Sequence, residues 1–160
     1  MSDSGHRVRP CFEAATGGVE SAKENVMTDQ SPPLTGVIAY INLEGAAEAS
    51  ALYQRAFGAR ELLRLPYKDD DGRLIHCHLE INGGNLMVSD FFPEHGFNPE
   101  KPQAYTLHLQ VADVDAAWEQ AVKEGLEVVM PIELMFWGDR YGQLKDKFGV
   151  RWSLATTPKA

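Results

Sequence analysis

Residues 135–142 read MFWGDRYG, and the chain continues through a turn at 145–149 into the short apolar run 152–154. The octapeptide brings together three aromatic side chains, two glycines and an adjacent Asp–Arg pair. Aromatic side chains are large apolar surfaces that favour burial against a partner, and glycine permits backbone conformations closed to other residues. The pattern predicts a β-hairpin with one wall facing a pocket.

A strand followed by an amphipathic helix precedes this segment, and the same pattern occurs earlier in the chain. The two β-type runs, 37–43 and 105–111, are followed by apolar residues at the spacing of one helix face. The helix patterns end at Gly58 and Gly125, and Asp113 is the predicted N-cap of the second helix. The apolar helix positions are Ala49, Leu52, Tyr53, Ala56 and Phe57 in the first copy and Val114, Ala117, Trp118, Ala121 and Val122 in the second.

Further strands are predicted after each helix. They cover 61–67, 73–81 and 85–89 in the first half of the chain and 126–132, 141–145 and 151–155 in the second. Landmarks recur at a nearly constant offset, since Arg73 corresponds to Arg140 and Gly83 to Gly149. The sequence therefore predicts an internal duplication of a β-α-β-β-β unit.

This duplication predicts an α+β fold, in which two β-α-β-β-β modules form a curved mixed sheet around a ligand trough, with the helices on the outer face. The N-terminal region is polar and shows no helical or strand period, which is typical of disorder. We expect a disordered extension at 1–33, module one at 34–90, a linker at 91–103, module two at 104–157 and a tail at 158–160.

Composition and charge limit the partners of the chain. The 15 Lys and Arg against 23 Asp and Glu give a formal net charge of −8, which disfavours a nucleic-acid partner. No apolar run has membrane-spanning length, and no secretion signal is recognisable. Cys11 and Cys77 give neither a disulfide framework nor a metal-binding spacing. We therefore expect a cytoplasmic protein that binds neither nucleic acid nor membranes, with Met27 as a candidate start of the natural product.

The paired modules resemble the vicinal oxygen chelate superfamily, which includes glyoxalase I, bleomycin-resistance proteins and extradiol dioxygenases. The PhnB-like group is the most similar, through GAAEA at 45–49, the helix end at 52–59, MFWGDRYG at 135–142 and WSLAT at 152–156. The resemblance covers roughly 34–157 and implies a trough-shaped site and a homodimer. The sequence departs from the family at Lys147 and Val150, where Pro and His are frequent, and at His78, where Glu is common.

The resemblance also implies where a metal ion would bind, because metal-dependent relatives take ligands from the first and last strand of each module. Those positions fall at Ile38, Met87 (or Ser89), Thr106 and Ser153, and they offer no imidazole or carboxylate. We therefore expect no metal or other cofactor. The alternative is a divalent metal held by His76, His78 and His108, two of which alternate on one strand.

The leading hypothesis is a small-molecule-binding protein that sequesters its ligand, similar to the bleomycin-resistance branch. One alternative is a metal-dependent isomerase, lyase or dioxygenase that uses the three histidines. Another is an assembly or partner-binding protein without a small ligand. The candidate ligand-binding residues are Tyr40, Asn42, His76, His78, Glu80, His108, Phe136, Trp137, Arg140 and Tyr141.

Overall fold

A computed structural model describes residues 34–68 and 71–158 of the chain. The predicted disorder at 1–33, part of the turn before Gly72 and the last two residues lie outside the described part. The first module consists of β1 (Ala39–Asn42), α1 (Ala46–Phe57), β2 (Arg60–Pro66), β3 (Leu74–Ile81) and β4 (Gly84–Ser89). The second consists of β5 (Leu107–Gln110), α2 (Val114–Lys123), β6 (Glu127–Leu134), β7 (Arg140–Lys145) and β8 (Arg151–Thr156).

The two modules have the same topology. The strand orders are β1-β4-β3-β2 and β5-β8-β7-β6, so the described strands form two four-stranded sheets. In each sheet the first strand pairs in parallel with the last, and the other neighbours are antiparallel. The predicted α+β fold with two β-α-β-β-β modules is confirmed. Within the described ranges, no helix combines the length and apolar character needed to cross a membrane.

The predicted helix ends are also confirmed. Gly58 adopts φ +66° after α1, and its N–H donates to the carbonyl of Tyr53. Such a left-handed cap is accessible to glycine at no steric cost. The Asp113 carboxylate accepts a 3.0 Å hydrogen bond from the N–H of Ala116 and so caps α2.

The two modules share one hydrophobic core. The rings of Tyr53 and Phe57 in α1 lie 4.9 and 4.5 Å from the ring of Trp152 in β8. Buried Asp146 accepts hydrogen bonds from the Tyr53 hydroxyl at 2.8 Å and from Nε1 of Trp152 at 3.0 Å, and also from the backbone N–H groups of Phe148 and Val150. Burial raises the pKa of Asp146, although these hydrogen bonds partly oppose the shift. This carboxylate therefore links α1 of one module to the last turn of the other.

The predicted linker is partly structured. It contains a 3-10 turn at Pro93–His95, and Phe92 and Phe97 exchange two backbone hydrogen bonds of 3.0 Å around it. Residues 91–97, here called the 91–97 loop, therefore form a compact element beside the first sheet. This element positions the cavity described below.

Candidate functional site

One face of each sheet packs on the helices, and the other face carries most of the candidate residues. Across the first sheet, Tyr40 pairs with Met87 and Met87 with His78. Residues directly opposite one another in a sheet point to the same face, so Tyr40, Asn42, His76 and His78 share the face away from α1. In the second sheet the same rule places His108, Ser153 and Tyr141 on the face away from α2.

A cavity of about 320 Å³ lies where β1 and β4 end, between the first sheet and the 91–97 loop. Asn42 and Ser89, the last residues of these two strands, pair with one another in the sheet. We call this space the aromatic cavity, because four of its lining side chains are Tyr or Phe. It is lined by Tyr40, Asn42, Tyr67, Ile75, Ser89, Asp90, Phe92, His95 and Phe97.

Arg73 does not line the aromatic cavity, but it contacts two aromatic residues that do. Its guanidinium carbon lies 4.9 Å from the ring centroid of Tyr67 and 4.8 Å from that of Phe92. The same guanidinium forms ion pairs with Asp71 and, at 2.6 Å, with Glu94 of the 91–97 loop. A guanidinium that stacks on rings and binds two carboxylates fixes a loop more firmly than a lone surface ion pair does.

The polar side chains of the aromatic cavity are largely paired with one another. Nδ2 of Asn42 donates to Oγ of Ser89 at 2.5 Å, and the hydroxyl of Tyr67 lies 3.0 Å from Nε2 of His95. Asp90 is buried, and its carboxylate accepts backbone N–H groups at the start of α1 and β3. The donors are Gly45 at 2.7 Å, Ala46 at 3.1 Å and Leu74 at 2.7 Å. Oδ1 of Asp90 therefore stabilises the turn into α1, and Oδ2 stabilises the start of β3.

His76 and His78 lie next to the aromatic cavity on β3. Nδ1 of His76 shares a 3.0 Å hydrogen bond with the hydroxyl of Tyr40, which itself lines the cavity. Burial, and secondarily the proximity of His78, lowers the pKa of His76. His78 is 1% exposed, and its Nε2 donates to Oδ1 of Asn85 at 2.8 Å. His76 therefore contacts a residue of the cavity lining, whereas His78 is buried in the sheet.

His108 lies in the other sheet, and both of its ring nitrogens are occupied. Nδ1 is 2.8 Å from Oγ of Ser153, and Nε2 is 3.1 Å from Oε1 of Gln110. The ring stacks on Tyr141 with centroids 6.2 Å apart. Among residues 34–68 and 71–158, no three His, Cys, Asp or Glu side chains form a group that could hold a metal ion. The structure therefore does not bring His108 together with His76 and His78.

The metal positions implied by the resemblance lie on the same strand faces as Tyr40 and His108. Ile38 and Thr106 stand immediately before the start of β1 and β5, two residues ahead of Tyr40 and His108. Met87 and Ser153 pair directly with those same two residues. Each module thus presents an aromatic or imidazole ring beside the expected metal position.

The octapeptide 135–142 forms the predicted hairpin between β6 and β7. The N–H of Met135 donates to the carbonyl of Asp139 at 2.8 Å, which closes the turn. Phe136 is 97% exposed and Trp137 is 52% exposed. None of these residues lines the aromatic cavity, although Trp137 contacts the ring of Tyr141 edge to face at 5.8 Å.

Arg140 and Glu80 lie away from the aromatic cavity. Arg140 points to the opposite face of β7 and forms an ion pair with Asp115 of α2 at 2.5 Å. Glu80 pairs with Arg60 at 2.7 Å and accepts the N–H of Gly83, which fixes the β3–β4 hairpin. Both side chains are engaged in stabilising their own modules.

Tyr67, Phe92, His95 and Phe97 line the aromatic cavity but are absent from the residues selected by sequence. The signal for three of them is the segment FFPEHGF at 91–97, which places three phenylalanines in a connection rich in Pro and Gly. Aromatic residues in a connecting segment need an apolar partner to cover them. That rule predicts that the 91–97 loop packs against an apolar surface of the domain.

The fold has known counterparts. The family model of the Glyoxalase/Bleomycin resistance protein/Dioxygenase superfamily matches residues 38–154. A relative from Mycobacterium tuberculosis strain H37Rv, itself uncharacterised, is 41% identical over 121 residues, covering 72% of this chain and 70% of that protein. Protein YjdN of Escherichia coli K12 is 24% identical over 136 residues, covering 72% of this chain and 90% of that protein.

Solved structures share the fold. Protein PA1353 from Pseudomonas aeruginosa superposes with a TM-score of 0.67 at 25% identity, covering 78% of this chain and 99% of that chain. The PhnB protein from Bacillus cereus has a TM-score of 0.58 at 22% identity, covering 76% of this chain and 99% of that chain. The family match extends from the residue before β1 into β8 and so includes both copies of the duplicated unit. The chain therefore belongs to the glyoxalase/bleomycin resistance protein/dioxygenase superfamily.

Proposed function

We propose that this protein binds a small organic molecule without a metal ion and sequesters it without turnover, similar to the bleomycin-resistance branch of its superfamily. The observation that carries the proposal is the preformed aromatic cavity of about 320 Å³ beside the first sheet. Concave sites of about 300–1,000 Å³ with apolar walls and a few polar groups are typical of small-molecule binding.

The chemistry of the expected metal positions supports binding without a metal. Ile38 offers only hydrocarbon and Met87 a thioether, while Ser153 offers a hydroxyl that already bonds to His108 at 2.8 Å. Zinc, iron and manganese sites in proteins are built from imidazole, carboxylate or thiolate donors. This donor set does not fit such an ion, and no step of the proposed function depends on one.

The pairing inside the aromatic cavity supports sequestration over covalent chemistry. A catalytic serine needs a base that takes its proton. The Ser89 hydroxyl instead accepts a hydrogen bond from Asn42. The carboxylate of Asp90, which also lines the cavity, is held by three backbone N–H groups. The lining therefore favours a role in holding a ligand.

Thermal unfolding of chelator-treated protein against a library of small organic molecules tests the proposal. A ligand present at a hundred times its Kd should stabilise the protein by about 2.7 kcal/mol without added metal. Phe92→Ala should remove that stabilisation, whereas Val37→Ala, at an exposed apolar residue outside the cavity, should retain it. Mass spectrometry should recover the ligand unchanged after prolonged incubation.

Two results would overturn the proposal. One is stabilisation that requires added Zn²⁺, Mn²⁺ or Fe²⁺ and is lost in the double variant His76→Ala, His78→Ala. The other is conversion of the ligand to a new product by metal-free protein. Either result would favour an enzymatic function over sequestration.

We further propose that the protein works as a cytoplasmic homodimer. The exposed apolar side chains Leu134, Phe136 and Trp137 at the β6–β7 hairpin support a contact with a second copy. Light scattering should give a dimer mass that Phe136→Ser shifts toward the monomer, while Val37→Ser, at another exposed apolar residue, leaves it unchanged. A monomer mass at all concentrations contradicts the dimer, and recovery from a membrane or secreted fraction contradicts the location.

A further inference from the structure

We infer that the aromatic cavity selects an uncharged, planar molecule of one or two aromatic rings that carries a hydrogen-bond donor beside an acceptor. This inference rests on the proposed function, because it names the class of ligand for the same site. The described residues that line the cavity combine four aromatic side chains with few free polar groups. The ligand is restricted by three properties of the lining, which are its charge, its shape and the polar contact at Asn42.

An anionic ligand finds no counter-charge in the lining. No Lys or Arg belongs to the described lining residues. The lining does include buried Asp90, whose negative charge opposes a second one, and whose oxygens bind the N–H groups of Gly45, Ala46 and Leu74. Burying an anion without a partner carries a large desolvation cost. Carboxylates and phosphates are therefore disfavoured.

A cationic ligand is disfavoured for a different reason. Aromatic walls attract organic cations through the negative faces of their rings. Here the Arg73 guanidinium already lies within 5 Å of the Tyr67 and Phe92 centroids, at 4.9 and 4.8 Å, and the Lys68 ammonium lies 4.5 Å from that of Tyr67. Neither basic residue lines the cavity, so both act from behind its wall. Because Asp71 and Glu94 pair with the Arg73 guanidinium, the preference depends on the rings and not on net charge. A cation already placed over a ring uses the attraction of its π electrons and leaves less of it for a cationic ligand.

The shape of the cavity limits the size of the ligand. Tyr67 and Phe92 form one wall, with centroids 4.9 Å apart and planes tilted by 58°. Tyr40 and Phe97 also line the cavity. A volume of about 320 Å³ is near the lower end of the range for small-molecule sites. One or two fused rings fit this space and gain by stacking on its aromatic walls.

Asn42 gives the ligand its polar contact. Its carboxamide has two N–H donors and a carbonyl acceptor, and among the described residues it donates one N–H, to Ser89. A ligand with a donor and an acceptor side by side, such as a cyclic amide fused to an aromatic ring, complements the remaining donor and acceptor. The Tyr40 hydroxyl, which bonds to His76 at 3.0 Å, stands two residues away on the same face of β1.

Calorimetry with four probes of similar size tests the inference on the full chain at neutral pH. The neutral cyclic amide 2-quinolinone should bind, while the anion 2-naphthoate and the cation N-methylquinolinium should bind at least about tenfold more weakly. N-methyl-2-quinolinone, which lacks the donor, should also bind about tenfold more weakly. Asn42→Leu should abolish the difference between the two quinolinones.

Two cavity variants and one control locate the binding. Phe97→Ala truncates a half-exposed side chain, so the variant should fold and bind 2-quinolinone about tenfold more weakly. Phe92→Leu tests the wall formed by Tyr67 and Phe92 with a smaller change, and Val37→Ala should bind as the parent does. Equal or tighter binding of either charged probe, no binding of 2-quinolinone, or binding unaffected by both cavity variants would overturn the inference. Stabilisation by the wider library still decides the proposed function separately.

Discussion

Gly142 of β7 lies directly against the indole ring of Trp118 in α2. A Cβ atom at this glycine would come within 2.6 Å of Cζ3 and 2.9 Å of Cη2 of the indole, and within 3.0 Å of Cγ1 of Ile132. The last residue of the MFWGDRYG segment is therefore a glycine because a ring packs on its Cα. Its role differs from that of Gly138 in the same segment, whose φ of +103° requires the conformational freedom of glycine.

We predict that Gly142→Ala lowers the free energy of unfolding by about 1–3 kcal/mol, because the added methyl group displaces the Trp118 ring from the sheet. Urea unfolding followed by far-UV circular dichroism measures the change. Gly84→Ala is the matched control at another strand glycine, since its Cβ would meet only the carbonyl of Ile81 at 3.5 Å. Equal midpoints for the two variants would contradict the close packing of α2 on β7.

We predict that Asp146→Ala lowers the free energy of unfolding by about 3 kcal/mol, because it leaves the Tyr53 hydroxyl and the Trp152 indole N–H buried without an acceptor. The same denaturant titration measures it. Asp113→Ala, at the exposed N-cap of α2, should cost about 1 kcal/mol. A loss for Asp146→Ala no greater than that of the cap variant would show that this carboxylate does not tie the modules together.

The fold was predictable from sequence because its signals are local and occur twice. The spacing of apolar residues before Gly58 and Gly125 predicts both helices, and the structure has them at Ala46–Phe57 and Val114–Lys123. The alternation around His76 and His78 predicts β3. Such periodicity depends only on residues close in sequence. The two copies of a duplicated unit therefore predict the same helices and strands in each half of the chain.

The site was less predictable because it depends on contacts between distant segments. The 91–97 loop has no helical or strand periodicity. Its Glu94 is held beside the cavity by an ion pair with Arg73, which stands before β3 and is distant in sequence. The hairpin at 135–142 was predicted, but the structure extends β6 to Leu134, beyond the predicted end at Ile132, and leaves the Phe136 ring in solvent. The direction of a hairpin tip depends on strand length and twist, which composition does not encode.

We predict that Cys77 resists thiol reagents until the protein unfolds. Its side chain is 0% exposed, and burial raises its pKa to about 11, so little reactive thiolate is present at neutral pH. In a Cys11→Ser background, Cys77 is the sole cysteine, and its labelling by a chromogenic disulfide should follow the urea unfolding curve. Rapid stoichiometric labelling in native buffer would contradict the packing of β3 beneath α1.

We predict that the free energy of unfolding falls as pH drops below about 6.5, the ordinary pKa of histidine, and that His76 contributes to this slope. Burial lowers the pKa of folded His76, so between the folded and unfolded pKa values the unfolded chain binds more protons and acid favours unfolding. Above that window the histidine is neutral in both states and contributes no slope. Urea midpoints compared between pH 5 and pH 8 should show a shallower dependence for His76→Gln than for the parent protein. A slope unchanged by His76→Gln would mean that the ring next to the aromatic cavity accepts a proton as freely in the folded protein as in water.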